Sequence, residues 1–276
     1  MSPTSIAKPR RCRLEAWSHL RAGGWAVTLM LALCPWGTQA QITGCGSDST
    51  WHVVKALAAA FEEETGTRFH LEAGGSAAGA KAALAGRVQF AFLSRAVSAQ
   101  EKEAGLVGVP YAFDGVAVIV HKENPLADIT VAELKDLYTG QVTSWKDGRP
   151  VVLFNRNTDS GTRQVFQELV LGSEGKFTPR AAIKHDALLV RSVSRIPSSL
   201  AYTSVAEADE SVVKVLSING IKPSATSLRD KSYPLSRTPS LATKGEPAGN
   251  VKAFIEFVLE PRGQAIVAQQ KLIKLQ

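Results

Sequence analysis

The sequence is poor in cysteine and has no long apolar run. Only three of its 276 residues are cysteines, and only Cys45 lies beyond residue 40. A mature chain that begins near residue 41 therefore has no internal disulfide. The longest apolar stretch, residues 23–34, is about a dozen residues long, whereas a helix that crosses a bilayer needs ~20. A retained transmembrane anchor is thus the less favoured interpretation of the N-terminus.

A strongly basic surface is also lacking once the N-terminus is set aside. The formal net charge is +7, but five of the 32 basic residues and one of the 25 acidic residues lie within residues 1–40. The rest of the chain carries +3 and has no run of Lys and Arg interleaved with aromatic residues. Because a nucleic-acid-binding protein needs such a surface to hold phosphates, we expect no nucleic-acid partner.

The motifs of nucleotide-dependent, metal-dependent and hydrolytic enzymes are missing. Residues 75–81 lack the spacing and end of a P-loop, and Ser49 stands where a dinucleotide fingerprint needs its third glycine. Ala78 fills the last glycine position of a nucleophile elbow. We expect no cofactor, no metal and no catalytic residue. Metal-ligand spacing is missing from the histidines beyond residue 40, which are His52, His70, His121 and His185. We interpret three carboxylates as solvated or capping groups: Asp114, Asp159 and Glu168.

Residues 1–40 have the features of a secretory signal. Arginines up to Arg21 are followed by the apolar stretch and then by small residues that end at Ala40, which is the order of a signal peptide. We expect cleavage after Ala40 and export to the periplasm. Residues 42–45 also resemble a lipoprotein processing site, but they lie about ten residues beyond the apolar stretch. A lipid anchor at Cys45 is therefore the less favoured alternative.

Strand-like runs alternate with segments of helical period, which is typical of an α/β fold. With 45% hydrophobic residues, the chain is able to bury a core. Ser98 with Glu101, and Thr130 with Glu133, are capping boxes that predict helix starts. The predicted strands are 41–44, 68–71, 88–92, 116–120, 151–154, 200–203 and 212–218. Further helices are predicted over 53–65, 77–84, from about 160, 250–259 and 262–271, with a loop-rich stretch at 222–237.

Three turns rich in Gly, Ser and Thr each follow a strand and precede a helix. They span residues 46–50, 74–79 and 155–163. A helix N-terminus offers free backbone N–H groups and about half a positive charge to an anion. One such turn is usually only a cap, but three in one chain, the last with Arg156 and Arg163, predict a cradle for an oxyanion.

Taken in order, these segments resemble the phosphate-binding periplasmic proteins of ABC importers. The resemblance covers nearly all of residues 42–276. Its most specific parts are the Ser-Gly-Thr-Arg turn at 160–163 and the Tyr-Pro-Leu-Ser-Arg segment at 233–237. It also includes residues 46–49, 75–81, 93–95, 130–140 with Trp145, and 200–202.

The resemblance implies an α/β, two-lobed type II periplasmic-binding-protein fold with mixed sheets and a ligand cleft between the lobes. Lobe one would comprise residues 42–120 plus 233–276, and lobe two residues 121–232. Such a protein is not an enzyme. It binds inorganic phosphate or a related oxyanion as a monomer, and lobe closure signals to the permease subunits of an ABC transporter.

The resemblance also assigns the ligand contacts, residue by residue, to the three turns and to one arginine. The Ser49 hydroxyl and the Thr50 backbone N–H match the first turn, and Ser76 matches the second. Arg156 matches the arginine that pairs with the anion. The full predicted set of ligand-binding residues is Ser49, Thr50, Ser76, Ser94, Arg156, Ser160, Gly161 and Thr162.

Two departures from the family pattern concern selectivity. Asp48 stands where a small residue is usual, and its carboxylate would repel an anion unless it faces away or pairs with an arginine. Ser94 stands where the best-known members have an aspartate that accepts the proton of hydrogen phosphate, which weakens discrimination against sulfate. Arg95 either adds charge to the site or forms a surface salt bridge.

Three alternatives to phosphate capture remain open. The first is a binding protein for another oxyanion, such as sulfate, molybdate or a phosphonate, which Ser94 favours. The second is a sensor or adhesion module that keeps the fold without transport. The third is a serine hydrolase or phosphatase, which would need a base within reach of Ser160 or Ser76.

Overall fold

The computed structural model describes residues 41–172, 174–184 and 186–275. The predicted signal peptide, its cleavage site and His185 lie outside the described residues. Within those ranges, no helix combines the length and the apolar character that a membrane crossing requires.

Strands and helices alternate along the chain, as the sequence pattern predicts. The strands are β1 (Gln41–Gly46), β2 (Arg68–Ala73), β3 (Phe90–Leu93), β4 (Leu106–Pro110), β5 (Asp114–His121), β6 (Asp128–Ile129), β7 (Val152–Asn155), β8 (Ala182–Ile183), β9 (Ser199–Ser204), β10 (Val213–Val215), β11 (Ser217–Ile218), β12 (Ser236–Arg237) and β13 (Ser240–Lys244). The helices are α1 (Trp51–Thr65), α2 (Ser76–Leu84), α3 (Ala99–Glu103), α4 (Val131–Thr139), α5 (Gly161–Phe166), α6 (Asp186–Val193), α7 (Ala225–Arg229), α8 (Gly249–Leu259) and α9 (Pro261–Gln269).

Two mixed sheets organise the described chain. The first has the strand order β2-β1-β3-β13-β4, in which β1, β2 and β3 are parallel and β13 runs antiparallel to both its neighbours. The second has the order β10-β5-β9-β7-β8, with β12 paired to β5. A short parallel pair, β6 with β11, stands apart from both. The predicted α/β class with mixed sheets is confirmed by this arrangement.

Each sheet has its own apolar core. Phe61, Phe90 and Phe254 pack together over the first sheet, with ring centroids 5.6 Å apart for both Phe61–Phe254 and Phe90–Phe254. In the second, the Phe166 and Tyr202 rings stack at 4.1 Å, and Tyr138 meets both edge-on. Aromatic pairs of this kind add stability beyond their buried area. The helices that carry these rings are therefore held firmly against the strands beneath them.

Helix starts follow the sequence signals closely. The Ser98 and Thr130 hydroxyls accept hydrogen bonds from the backbone N–H groups of Glu101 and Glu133, and both glutamates bond back to the cap residue. Both predicted capping boxes are confirmed. The second turn differs slightly, because Ser76 is the first residue of α2 and Gly75 is its N-cap.

Some sequence-based boundaries are wrong. The predicted strand 212–218 is two strands, because β10 pairs with β5 whereas β11 turns away to pair with β6. The stretch 222–237, predicted to be loop-rich, contains α7 and β12. Strands β4 and β13 and helix α6 were not predicted. The division into lobes at residue 120 stays a prediction; that position lies within β5, a strand that pairs with β9 and β10 in the second sheet.

Candidate anion-binding site

The candidate site is formed at the carboxyl ends of parallel strands from both sheets. In the first sheet, Ser47 follows β1, the turn at 74–75 follows β2, and Ser94 follows β3. In the second sheet, Arg156 follows β7 directly. Ligands of open α/β folds bind at such edges, because loops and helix N-termini gather there.

The first two turns are tied to one another by backbone hydrogen bonds. The N–H groups of Gly74 and Gly75 both donate to the carbonyl oxygen of Gly46, at 2.9 and 2.8 Å. The Ser47 N–H donates to the Phe92 carbonyl at 2.8 Å. Gly75 has a φ of +94°, a conformation that side chains rarely adopt, so glycine is required there.

The third turn lies directly against the other two. The Ser49 Oγ is 3.3 Å from the Thr162 Oγ1, and the Ser76 Oγ is 3.3 Å from the Ser94 Oγ. A Cβ atom at Gly161 would lie 2.2 Å from the Ser76 Oγ and 2.5 Å from the Ser94 Oγ. Only a glycine permits this close approach of the first residue of α5.

All eight predicted ligand-binding residues lie within this buried cluster or border it. The seven with side chains are each at most 2% exposed, and Gly161 is buried as well. The Ser160 hydroxyl caps α5 by accepting a hydrogen bond from the Arg163 N–H at 3.3 Å. The structure therefore brings hydroxyl groups of the three turns and the N-termini of α1, α2 and α5 together in one buried cluster.

Arg156 places a buried guanidinium beside the first turn, next to Asp48. Its backbone N–H donates to the Asn155 Oδ1 at 2.8 Å, and the same oxygen accepts the Tyr202 hydroxyl. These bonds fix the backbone at the end of β7. The Arg156 Nη2 lies 3.8 Å from the Asp48 Oδ2. Burial lowers the pKa of the Arg156 guanidinium, while Glu207 and Asp48 act in the opposite direction.

Asp48 thus takes one of the two arrangements that the sequence allows, since its carboxylate faces an arginine. Its side chain is 30% exposed, so the pair lies at the rim of the buried cluster.

Arg95 takes the second of its two predicted roles, a salt bridge with a residue that is not among the candidate ligand contacts. It forms a two-pronged pair with Glu101, at 2.7 and 2.8 Å, and its Nε donates to Gln164. Arg163 lies over the Phe177 ring, 4.5 Å from its centroid.

A buried ion pair behind the third turn was missed by sequence reasoning. The Arg237 Nε and Nη2 donate to the Asp114 Oδ2 at 2.9 and 2.6 Å, and the Arg237 Nη1 donates to the Thr162 Oγ1 at 2.8 Å. The interpretation of Asp114 as a solvated or capping carboxylate is therefore wrong. Its position at the start of the buried apolar run 114–121 was the available signal, because a buried carboxylate needs a partner.

Glu207 is a second carboxyl, partly buried, that the sequence did not suggest. Burial raises its pKa to about 7, although Arg156 and Arg237 pull it down. Its Oε2 accepts a hydrogen bond from the Thr203 hydroxyl at 3.2 Å.

No group of three or more His, Cys, Asp or Glu side chains that is suited to a metal occurs in the described part of the chain.

The fold and the site together define a substrate-binding protein of the type II periplasmic class. A model of the PBP superfamily domain matches residues 35–262. The phosphate-binding protein PstS of Bacillus subtilis is 31% identical over 245 residues, which cover 84% of this chain and 80% of the relative.

Solved structures agree with this class. A substrate-binding protein of Clostridium perfringens, assigned to a phosphate ABC transporter and solved with bound phosphate, has a TM-score of 0.80 and 34% identity. The match covers 86% of this chain and all of that one. An ABC-type phosphate transport receptor from Vibrio cholerae has a TM-score of 0.74 and 25% identity, over 84% of this chain and 99% of that one. The chain belongs to the PBP superfamily and, within it, to the PstS-like phosphate-binding proteins.

Proposed function

We propose that this protein captures inorganic phosphate without chemical change and delivers it to the permease subunits of an ABC transporter. It would do so in the periplasm, after removal of residues 1–40. The observation that carries the proposal is the packing of three helix N-termini and the hydroxyls of Ser49, Ser76 and Thr162 in one buried cluster, with the buried Arg156 beside its first turn. Charge-assisted hydrogen bonds from such donors are the interactions that hold phosphate in proteins.

The proposed contacts divide between the two sheets. Ser49, Thr50, Ser76 and Ser94 follow strands of the first sheet, and Arg156, Ser160, Gly161 and Thr162 follow β7 of the second. A ligand held by both sets of residues links the two halves of the protein, each built on one sheet. Ligand binding therefore favours the arrangement in which the halves are closed on each other. Because the contacting side chains are at most 2% exposed, the halves must separate for phosphate to enter or leave.

A non-catalytic role is favoured over hydrolysis by the state of the candidate nucleophiles. The Ser160 hydroxyl accepts the N–H of Arg163 as a helix cap, and the Ser76 hydroxyl partners Ser94. In the described ranges, neither hydroxyl hydrogen-bonds a histidine. A serine nucleophile needs such a base to be activated.

Thermal unfolding of the phosphate-stripped protein tests the ligand assignment. Phosphate, arsenate, sulfate, molybdate and a phosphonate are compared at ~1,000 times Kd, where binding adds about 4 kcal/mol and raises Tm by about 8–16 °C. We expect a shift with phosphate and arsenate. A shift with sulfate or molybdate alone would keep the fold and overturn the ligand. No shift with any anion would favour a sensor or adhesion role.

A matched pair of arginine variants makes this test specific to the site. Arg156→Met removes the buried guanidinium, and Arg149→Met removes an exposed one that pairs with Asp147. We expect only Arg156→Met to lose the phosphate shift, by about half or more. Delivery is tested by uptake of radioactive phosphate in cells that lack the gene. We expect the wild-type gene to restore uptake, and equal rescue by Arg156→Met would contradict the proposal.

A further inference from the structure

We propose that Arg237 is a positioning residue that fixes the direction of the hydroxyl hydrogen bonds in the anion site, without touching the anion. The inference rests on the proposed function and deepens it. Arg237 is buried, and its Nη1 donates to the Thr162 Oγ1 at 2.8 Å. Thr162 is one of the predicted ligand contacts of the third turn. Arg237 itself was not predicted to belong to the site.

The direction follows from the chemistry of the two groups. A guanidinium only donates hydrogen bonds, whereas a hydroxyl has one proton to donate and lone pairs to accept. The Thr162 oxygen must therefore accept from Arg237, so its own proton points elsewhere. Ser49 lies 3.3 Å away from Thr162, and Ser47 lies 3.0 Å from Ser49.

The hydroxyls of Thr162, Ser49 and Ser47 form a row that begins at the charged guanidinium of Arg237. Successive hydrogen bonds polarise one another, so a hydroxyl that accepts from a guanidinium is a stronger donor than one that does not. With Thr162 held in this state, its proton is free to be donated to an anion in the site. Arg237 thereby makes the third turn donate before any ligand arrives.

Asp114 directs the guanidinium. Its Oδ2 accepts from the Arg237 Nε and Nη2 and also from the Ser204 hydroxyl, at 2.8 Å. These contacts leave Nη1 aimed at Thr162. Asp114 and Arg237 are also direct partners in the antiparallel pairing of β5 with β12. The pair is therefore built on paired strands, which hold the guanidinium more firmly than a loop would.

The planar fork of arginine is what the arrangement uses. Three of its nitrogens contact two different residues at once, which the compact ammonium of a lysine is not shaped to do. Arg237→Lys keeps the positive charge but releases the Thr162 hydroxyl, so it turns freely. We expect this variant to bind phosphate about tenfold more weakly, comparable to the loss of one good hydrogen bond at 1.4 kcal/mol per tenfold.

A double-mutant cycle tests the coupling. Phosphate Kd by titration calorimetry and Tm without phosphate are measured for wild type, Arg237→Lys, Thr162→Val and the double variant. If Arg237 acts through the Thr162 hydroxyl, then Arg237→Lys weakens binding in the wild type but adds less than about twofold in the Thr162→Val background. Its effect on Tm persists in both backgrounds. Arg229→Lys, on the exposed face of α7, is the control and leaves Kd unchanged.

Equal weakening of phosphate binding in both backgrounds would overturn the inference, because it would mean a general structural or electrostatic effect. An unchanged Kd in Arg237→Lys would overturn it as well. A wild-type protein that binds no phosphate would instead refute the proposed function, and the inference with it. If Arg237→Lys does not fold, Asp114→Asn loosens the same guanidinium, and the same dependence on Thr162 is expected.

Discussion

The close approach at Gly161 gives a sharp prediction for the variant Gly161→Ala. The added Cβ would lie 2.2 Å from the Ser76 Oγ, 2.5 Å from the Ser94 Oγ and 2.7 Å from the Ser76 Cβ. Rotation of the Ser76 side chain moves the hydroxyl away but not the Cβ. The clash involves the N-terminus of α5 on one side and two turns of the first sheet on the other. It therefore opposes the closed arrangement of the two halves.

The cost is that of an overpacked site, about 1–3 kcal/mol. This corresponds to a phosphate Kd that is roughly 5- to 150-fold weaker, at 1.4 kcal/mol per tenfold. Alanine does not disfavour the helix that starts at residue 161. When the two halves are apart, the added Cβ no longer meets Ser76 and Ser94, so the variant is not strained in that state. We expect titration calorimetry to show weaker phosphate binding. In thermal unfolding, we expect the Tm without phosphate to fall only a little, and the rise in Tm that phosphate causes to shrink by more.

Gly74→Ala is the matched control, in the second turn. A Cβ at Gly74 has only the Ala78 Cβ near it, at 4.0 Å. We expect this variant to bind phosphate as the wild type does. Wild-type affinity in Gly161→Ala would refute the argument, because the turns would then not close on the ligand as the structure has them. Equal losses in both variants would refute it too.

Three further variants test other parts of the account. Asp48→Asn removes a carboxylate that competes with the anion for Arg156. The pair is long, at 3.8 Å, and its carboxylate is partly exposed, so it is worth no more than about 1 kcal/mol. We expect phosphate to bind up to about fivefold tighter in calorimetry, and weaker binding would contradict this. Burial raises the pKa of Glu207 to about 7, so the folded state holds a proton that the unfolded state has lost, and stability falls, by on the order of 3 kcal/mol, as the pH rises from about 4.5 to 7. Melting curves across this range should show a smaller fall for Glu207→Gln, and parallel profiles would count against the assignment. Thr130→Ala removes the cap of α4 at a cost of about 1 kcal/mol, which lowers Tm by about 2–4 °C, while an altered phosphate Kd would be unexpected.

Local order was predictable because its causes are local. The apolar run of β5 and the capping box at Thr130 each involve a few neighbouring residues, and the structure has them where the pattern indicates. The three turns were predictable for a similar reason. Each joins the end of a strand to the start of a helix, and parallel strands bring such ends to one edge.

Pairing between distant segments was not predictable. β13 lies between β3 and β4 in the first sheet, yet no apolar run marks the sequence Ser240–Lys244. The Arg237 contact to Asp114 spans 123 residues, and the contact of Ser49 with Thr162 spans 113. Periodicity carries no information on such pairs. The resemblance to a family suggested the candidate site residues, but neither Arg237 nor Glu207 was among them.

Calorimetric titration of phosphate into the phosphate-stripped protein, with Arg156→Met beside the wild type, tests the central claim most directly. The claim is that the three turns and Arg156 form one site for phosphate. We expect one phosphate per chain in the wild type. Removal of one partner of a buried charged contact costs 2–5 kcal/mol, so we expect binding at least about thirtyfold weaker in Arg156→Met. No binding by the wild type, or equal affinity in the two proteins, would contradict the account.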